Sequence, residues 1–304
     1  MKIRCALCPR RCGVVRSDDT PGGFCASPLL PRVARAAPHF GEEPCIAGKN
    51  GTGAVFFTGC NLRCVFCQNA EISRGTGGAR VNVPALRDML LRLRDGGVDS
   101  IDLVTGAHFI PAIAEALAGL TLGIPVVWNS SGYESAESLR QLEGLVQVYM
   151  PDYKYSDPEA ARRYSAAADY PAVAAAAIRE MYRQVGPYAL DEDGRMKSGL
   201  LIRHLILPGR EEDARDAIDF AADEFPRGAV LFSLMSQFTP MPGTEAFPEL
   251  QGRVTKEAND ALIHYMRVRR LDGFWQDVDA ATEEMIPDFD LTGVKSTCKV
   301  ESEK

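Results

Sequence analysis

From residue 54 onward, short apolar runs alternate with stretches whose apolar residues recur every three or four positions. Six runs, at 54–57, 101–104, 124–128, 145–150, 200–207 and 229–235, each end in loop residues and precede a helical pattern. Runs this short and this apolar predict buried strands. The intervening patterns predict helices over 84–94, 110–117, 134–142, 172–184 and 212–225. In the first of these, Leu86, Met89, Leu90 and Leu93 fall at i, i+3, i+4 and i+7, with Pro84 suited to the opening turn. Strand and helix exchanging places in this way predicts βαβ units and a parallel sheet. The chain therefore reads as α/β, a barrel or partial barrel and not a sandwich.

The two ends depart from the alternation. Residues 1–52 are rich in Cys, Pro, Arg and Gly with little periodicity, and are expected to form a small region organised by ligation. Residues 53–275 carry the alternating body. Residues 276–304 form a tail whose polar run at 299–304 is expected to fray. No internal repeat is evident.

Composition narrows the function. With 304 residues, 46% hydrophobic and 25% charged, this is an ordinary globular composition, without the run of about 20 apolar residues a membrane span needs. Met1-Lys2-Ile3-Arg4 leads straight into cysteines instead of an apolar stretch, so no secretory signal is expected and the location expected is cytoplasmic. A net charge of −7 argues against nucleic acid as a partner, because backbone phosphates are bound by clustered Lys and Arg. Arg4, Arg10, Arg11 and Arg16 make a local basic spot, either a solvated face or compensation for anionic thiolates nearby.

The chain has nine cysteines, and in a reducing compartment clustered thiols read as metal ligands before disulfides. The stretch TGCNLRCVFCQN holds Cys60, Cys64 and Cys67 in the spacing Cys-x3-Cys-x2-Cys, just beyond the first predicted strand. Strand ends of that kind carry the chemistry in α/β barrels. Three thiolates leave one coordination position open, which separates catalytic from structural metal sites. Upstream, Cys5, Cys8, Cys12 and Cys25 form a complete set of four. Zinc and a second [4Fe–4S] cluster are both satisfied by four cysteines, and the spacing does not choose between them. Cys45 is either a buried thiol or an alternative ligand to that set, and Cys298 is a bystander. No phosphate loop of Walker type is present, since GTGGAR at 75–80 lacks the Lys-Ser/Thr pair, and no nucleophile elbow is found.

With its aromatic residue before the last thiol, Cys60-x3-Cys64-x-Phe66-Cys67 resembles the signature loop of the radical S-adenosylmethionine (SAM) superfamily. The resemblance implies a [4Fe–4S] cluster whose open iron takes the amino and carboxylate groups of SAM. One-electron cleavage would then give methionine and a 5′-deoxyadenosyl radical that abstracts hydrogen from a substrate. It also implies a partial (β/α)6 TIM-like barrel, with an N-terminal cysteine-rich cluster-binding extension. Asp152-Tyr153-Lys154, Arg203 before the Pro208-Gly209 turn, and the segments HFGEEP and VVWNSSGYE are similar to an activase-like branch related to the pyruvate formate-lyase activating enzyme. The Cys-Pro-Arg-x-Cys run resembles the N-terminal motif of that branch.

Carried over position by position, the resemblance implies a SAM site from Gly106, Ala107, His108, Asn129, Ser131, Asp152, Lys154 and Arg203. Where the superfamily has a Gly-Gly-Glu-Pro-like segment, this chain reads Thr105-Gly106-Ala107-His108, so the expected carboxylate is missing. The implied partners are a protein or peptide substrate, a glycyl-radical protein being one form, and a reductant such as flavodoxin or ferredoxin. Segments 153–165 and 237–240 are candidate rims for the substrate. Two alternatives stay open: a radical enzyme acting on a small metabolite, and a non-enzymatic iron-sulfur carrier or scaffold.

Overall fold

The computed structural model describes residues 2–75, 77–278 and 286–294. A hairpin of β1 (Lys2–Arg4) and β2 (Val15–Ser17) opens the chain. Strand β3 (Arg32–His39) and the one-turn helix α1 (Pro44–Ala47) follow. The body then runs β4 (Thr52–Phe57), α2 (Ala70–Ser73), β5 (Ala79–Arg80), α3 (Val83–Asp95), β6 (Ser100–Val104), α4 (Ile110–Leu117) and β7 (Val126–Ser130). It continues with α5 (Ala136–Leu139), β8 (Val148–Pro151), α6 (Pro158–Ser165), α7 (Tyr170–Val185) and β9 (Ala189–Leu190). The last described elements are β10 (Met196–Leu205), α8 (Glu211–Glu224), β11 (Leu231–Met235), α9 (Lys256–Val268) and β12 (Asp272–Trp275).

The central sheet is mostly parallel. Strands β4, β6, β7, β8, β10, β11 and β12 lie side by side in chain order, each parallel to the next. Such a singly wound order puts the crossover helices on one face, since βαβ connections keep one hand. The antiparallel β3 pairs with β4 and carries β5 beyond it. A strand from ahead of position 52 thus belongs to the main sheet, against the expectation that residues 1–52 stand outside the alternation. Its Arg-Val-Ala-Arg-Ala-Ala-Pro-His sequence has no clean two-residue period to announce it.

All six predicted strands are present. Strand β12 is a seventh parallel member that the sequence did not announce, because Asp272 and Gly273 are poor strand formers. Gly273, at φ +145°, lies so close to the Phe232 backbone that a Cβ would have no room. Helix α6 falls where a rim loop was expected, with Asp157 capping the Glu159 N–H at 2.9 Å and Pro158 in its first turn. Only part of the helix expected over 134–142 forms, as α5 followed by a 3-10 turn. Most of the tail 276–304, with Cys298 and the polar run 299–304, lies outside the described residues.

Alternate residues of the parallel strands face opposite ways. Trp128, Leu200, Ile202, Phe232 and Leu234 join the core beneath the helices. Val127, Val148, Met150, Leu201 and Leu231 belong to a second, smaller core on the other face. Helix α1 fills that inner core: Cys45 and Ile46 pack into it, and the Ile46 carbonyl accepts the Ser100 hydroxyl at 3.0 Å. The residues just before α1 are thereby carried to the inner face of the sheet.

Candidate active site

The loop after β4 is shaped by two left-handed residues, Gly59 (φ +89°) and Arg63 (φ +57°). At Gly59 a Cβ would collide with Ser27 Oγ and the Cys25 carbonyl, so only glycine fits. Cys60 Sγ accepts the Leu62 and Arg63 N–H groups at 3.3 and 3.5 Å, and Cys64 Sγ accepts the Ser165 hydroxyl at 3.1 Å. Phe66 is wedged edge-on among Tyr155, Tyr164 and Phe238. Burial pushes the Cys60 thiol up to about 12 and raises Cys67 as well. A metal ion offsets that cost, because a coordinating thiol is deprotonated outright.

The loop serves two sides. Cys60, Leu62, Cys64, Phe66 and Cys67 line a cavity of ≈ 510 Å³ at the C-terminal ends of the parallel strands, a size that suits a cofactor or small ligand. Gly59 and Asn61 instead meet the N-terminal segment: Gly59 abuts Cys25, and the Asn61 carbonyl accepts Arg10 Nε at 2.9 Å.

Opposite the loop, one polar residue from each of several strands reaches the same cavity. Arg203, on the inner face of β10, is the hub. Its Nε donates to Asp152 Oδ1 at 2.9 Å, its Nη1 to Glu42 Oε2 at 2.9 Å, and its Nη2 to Asn129 Oδ1 at 2.6 Å. The Asn129 amide is shared between Glu42 Oε1 (3.2 Å) and Asp102 Oδ2 (3.1 Å). Lys154 Nζ donates to Asp152 Oδ2 at 2.5 Å. Burial works against the charge on Arg203, but Asp152, Glu43 and Glu42 outweigh it and raise its pKa. Burial would also raise Asp152; Arg203 and Lys154 hold it below the usual carboxylate range. Asp102, fully buried and beside Glu42, is pushed well above that range, first by desolvation.

Asn129, Ser131, Asp152, Lys154, Arg203 and the three loop cysteines all line this one cavity. Gly106, Ala107 and His108 do not. A Cβ on Gly106 would strike Ile113 and the Trp128 ring, so that residue is buried in helix packing. His108 turns toward the N-terminal cysteines, and its Nε2 lies 2.8 Å from the Thr58 carbonyl. Desolvation lowers it to about 3, so it stays neutral. Of that segment only Thr105 lines the cavity.

The sequence reading missed Glu42 and Glu43. They were visible in HFGEEP, but nothing local says that α1 delivers them beneath Arg203. Asp102 was legible as a charge inside the apolar run Ser-Ile-Asp-Leu-Val.

Cys5, Cys8, Cys12 and Cys25 surround a second, small cavity with Arg16 and His108. Arg16 is 1% exposed, and among the described residues its hydrogen bonds go to no carboxylate. It donates to the Ser27, Pro28 and His108 carbonyls and to Cys5 Sγ at 3.5 Å. A buried cation facing thiols fits a site whose sulfurs ionise on binding metal. Cys45 is not near this set; it sits in the inner core under the sheet, its thiol pushed up to about 12 by burial. Among the described residues no three Cys, His, Asp or Glu side chains converge as ligands to a single ion would. Ligands to a four-iron cluster each meet a different iron and stand further apart. None of the eight described cysteines forms a disulfide, and no helix among the described residues is long and apolar enough to cross a membrane.

No family model matches the chain. The uncharacterized protein MJ0674 of Methanocaldococcus jannaschii is 27% identical to it over 279 residues, which cover 88% of this chain and 75% of that protein. Among solved structures, Streptococcus suis SuiB superposes with a TM-score of 0.46 at 13% identity, over 74% of this chain and 47% of that one. Plasmodium falciparum HPPK-DHPS, wild type with STZ-DHP, superposes with a TM-score of 0.30 at 8% identity, over 84% and 52%. The chain spans about half the length of either solved structure, and at these TM-scores neither likeness defines a fold.

Proposed function

We propose that this chain is a radical SAM enzyme built on a partial barrel, abstracting hydrogen from a protein or peptide and related to the activases of glycyl-radical proteins. One observation carries the reading: the Cys60–Cys64–Cys67 loop opens onto the same cavity as Asp152, Lys154 and Arg203. The three thiols would hold a [4Fe–4S] cluster, with backbone N–H donors on Cys60 Sγ and the Ser165 hydroxyl on Cys64 Sγ. When bound, the cluster and SAM supply one-electron cleavage of a carbon–sulfur bond and, from it, hydrogen-atom abstraction.

The charge of the cavity suits SAM. Before the charge of the cluster and its thiolates is counted, three lining carboxylates, Glu42, Glu43 and Asp152, face two cations, Lys154 and Arg203, one excess negative charge when all are ionised. In SAM the ammonium and sulfonium outnumber the carboxylate by one. Phe40, 67% exposed, and Trp275 stand at the mouth and offer apolar surface to a substrate chain. In this reading the N-terminal thiols hold an auxiliary [4Fe–4S] cluster or zinc behind the loop, and a flavodoxin or ferredoxin supplies the electron.

The test is anaerobic reconstitution with iron and sulfide, reduction, and assay for 5′-deoxyadenosine and methionine from SAM. The wild type should form both, and C60A, C64A and C67A neither. A wild type that takes up iron and yields no 5′-deoxyadenosine would overturn the reading.

A further inference from the structure

The polar groups of the cavity differ in how many hydrogen bonds they have left to give. Arg203 has all three of its nitrogens engaged, Nε, Nη1 and Nη2 donating to Asp152, Glu42 and Asn129, which uses three of its five N–H donors. Glu42 is committed as well, one oxygen to Arg203 and the other to Asn129. These contacts fix both side chains in the wall and pair their charges with each other. Two groups remain. Lys154 donates once, to Asp152, and an ammonium has three donors. Glu43 lines the cavity with its side chain only 9% exposed, and its nearest cation is Arg203 Nη1 at 3.7 Å, beyond hydrogen-bond reach. Burial is the main cause of its raised pKa, which Arg203 and Ser233 beside it only partly offset.

A nine-tenths buried carboxylate held short of a cation, in a cavity that otherwise satisfies its charges, is a place for a positive group from outside. We propose that Glu43 binds the α-ammonium of SAM, with the spare donors of Lys154 toward the carboxylate, and that Glu42 is a positioning residue that fixes Arg203 and Asn129. This rests on the SAM reading above. It assigns the ammonium contact to the segment before α1, which Ile46 anchors in the inner core, and not to the strand end at Thr105-Gly106-Ala107-His108.

The experiment is calorimetric titration of reconstituted wild type and E43Q with SAM and, separately, with 5′-methylthioadenosine, which lacks the amino-acid moiety. Cluster absorbance and melting temperature serve as checks that E43Q is loaded and folded. A charge-assisted hydrogen bond is worth roughly 10- to 100-fold in affinity. E43Q should lose that factor toward SAM and bind methylthioadenosine as the wild type does, and E43D should recover part of the SAM affinity. Equal SAM binding by E43Q and wild type overturns the assignment while leaving the SAM reading intact. Equal weakening toward both ligands also overturns it, since Glu43 would then only shape the cavity. A wild type that binds no SAM overturns the underlying reading instead.

Discussion

Glu42 and Arg203, 161 positions apart in the chain, meet at 2.9 Å inside the cavity. The pair ties the segment before α1 to strand β10, and through Asp152 and Asn129 to two further strands. Its members are mostly buried, so removing one strands the others. Breaking a buried ion pair from one side costs far more than the pair itself contributes.

R203M should therefore lower unfolding free energy by about 3–5 kcal/mol, because it leaves Glu42 buried without its cation and Asp152 with Lys154 alone. R203K keeps a charge but loses the three-way fork, and should fall between the two. Urea denaturation measures both. If R203M unfolds within about 1 kcal/mol of the wild type, the network is not coupled as its geometry implies.

Glu134 sets a pH dependence. It is fully buried, and desolvation raises it from 4.5 to about 7, with Ser130 and Trp128 beside it pulling back only in part. The folded state holds the proton longer than the unfolded chain. This contribution to stability is therefore complete below pH 4.5 and is lost as pH rises to about 7. The loss is about 1.4 kcal/mol per pH unit across that window. In E134Q, which cannot ionise, the decline should be absent; the difference between the two proteins, measured by denaturation at several pH values, should level off above about 7.

The six parallel strands were legible because both faces of each are buried, which makes the run continuously apolar. Strands β3 and β12 were not, since two arginines among small residues and an Asp-Gly start give no such run. The cysteine loop was readable from local spacing, as were Asp152 and Lys154, two apart at one strand end. The glutamates were not, because their partner is fixed by where α1 packs and not by their neighbours. The resemblance implies His108 in the SAM site. The turn at Ala107–Phe109 carries it to the other side of the loop.

Ile46 is the anchor of that delivery. It is 2% exposed within a core of Val127, Val148, Met150, Leu201 and Leu231. I46A should cost about 2–5 kcal/mol, as large-to-small changes in a packed core do. F40A, six residues earlier on the exposed rim, should stay within about 0.5 kcal/mol of the wild type. Equal stability of I46A and F40A in urea would mean that α1 does not hold the segment in place.

Arg16 makes a prediction about metal at the N-terminal cysteines. Its guanidinium is buried, donates to backbone carbonyls and to Cys5 Sγ, and meets no carboxylate among the described residues. Neutral thiols leave that charge unbalanced, whereas metal-bound thiolates supply the missing anion. Loading with iron and sulfide, or with zinc, should therefore raise the melting temperature of the wild type more than that of R16M. A hydrogen bond to a charged group contributes about 1.5–3 kcal/mol, which in a chain of this size amounts to several degrees. The comparison is the melting shift on anaerobic loading, with C8S as the control in which the ligand set is broken. Identical shifts for wild type and R16M would show that the arginine does not face a thiolate site.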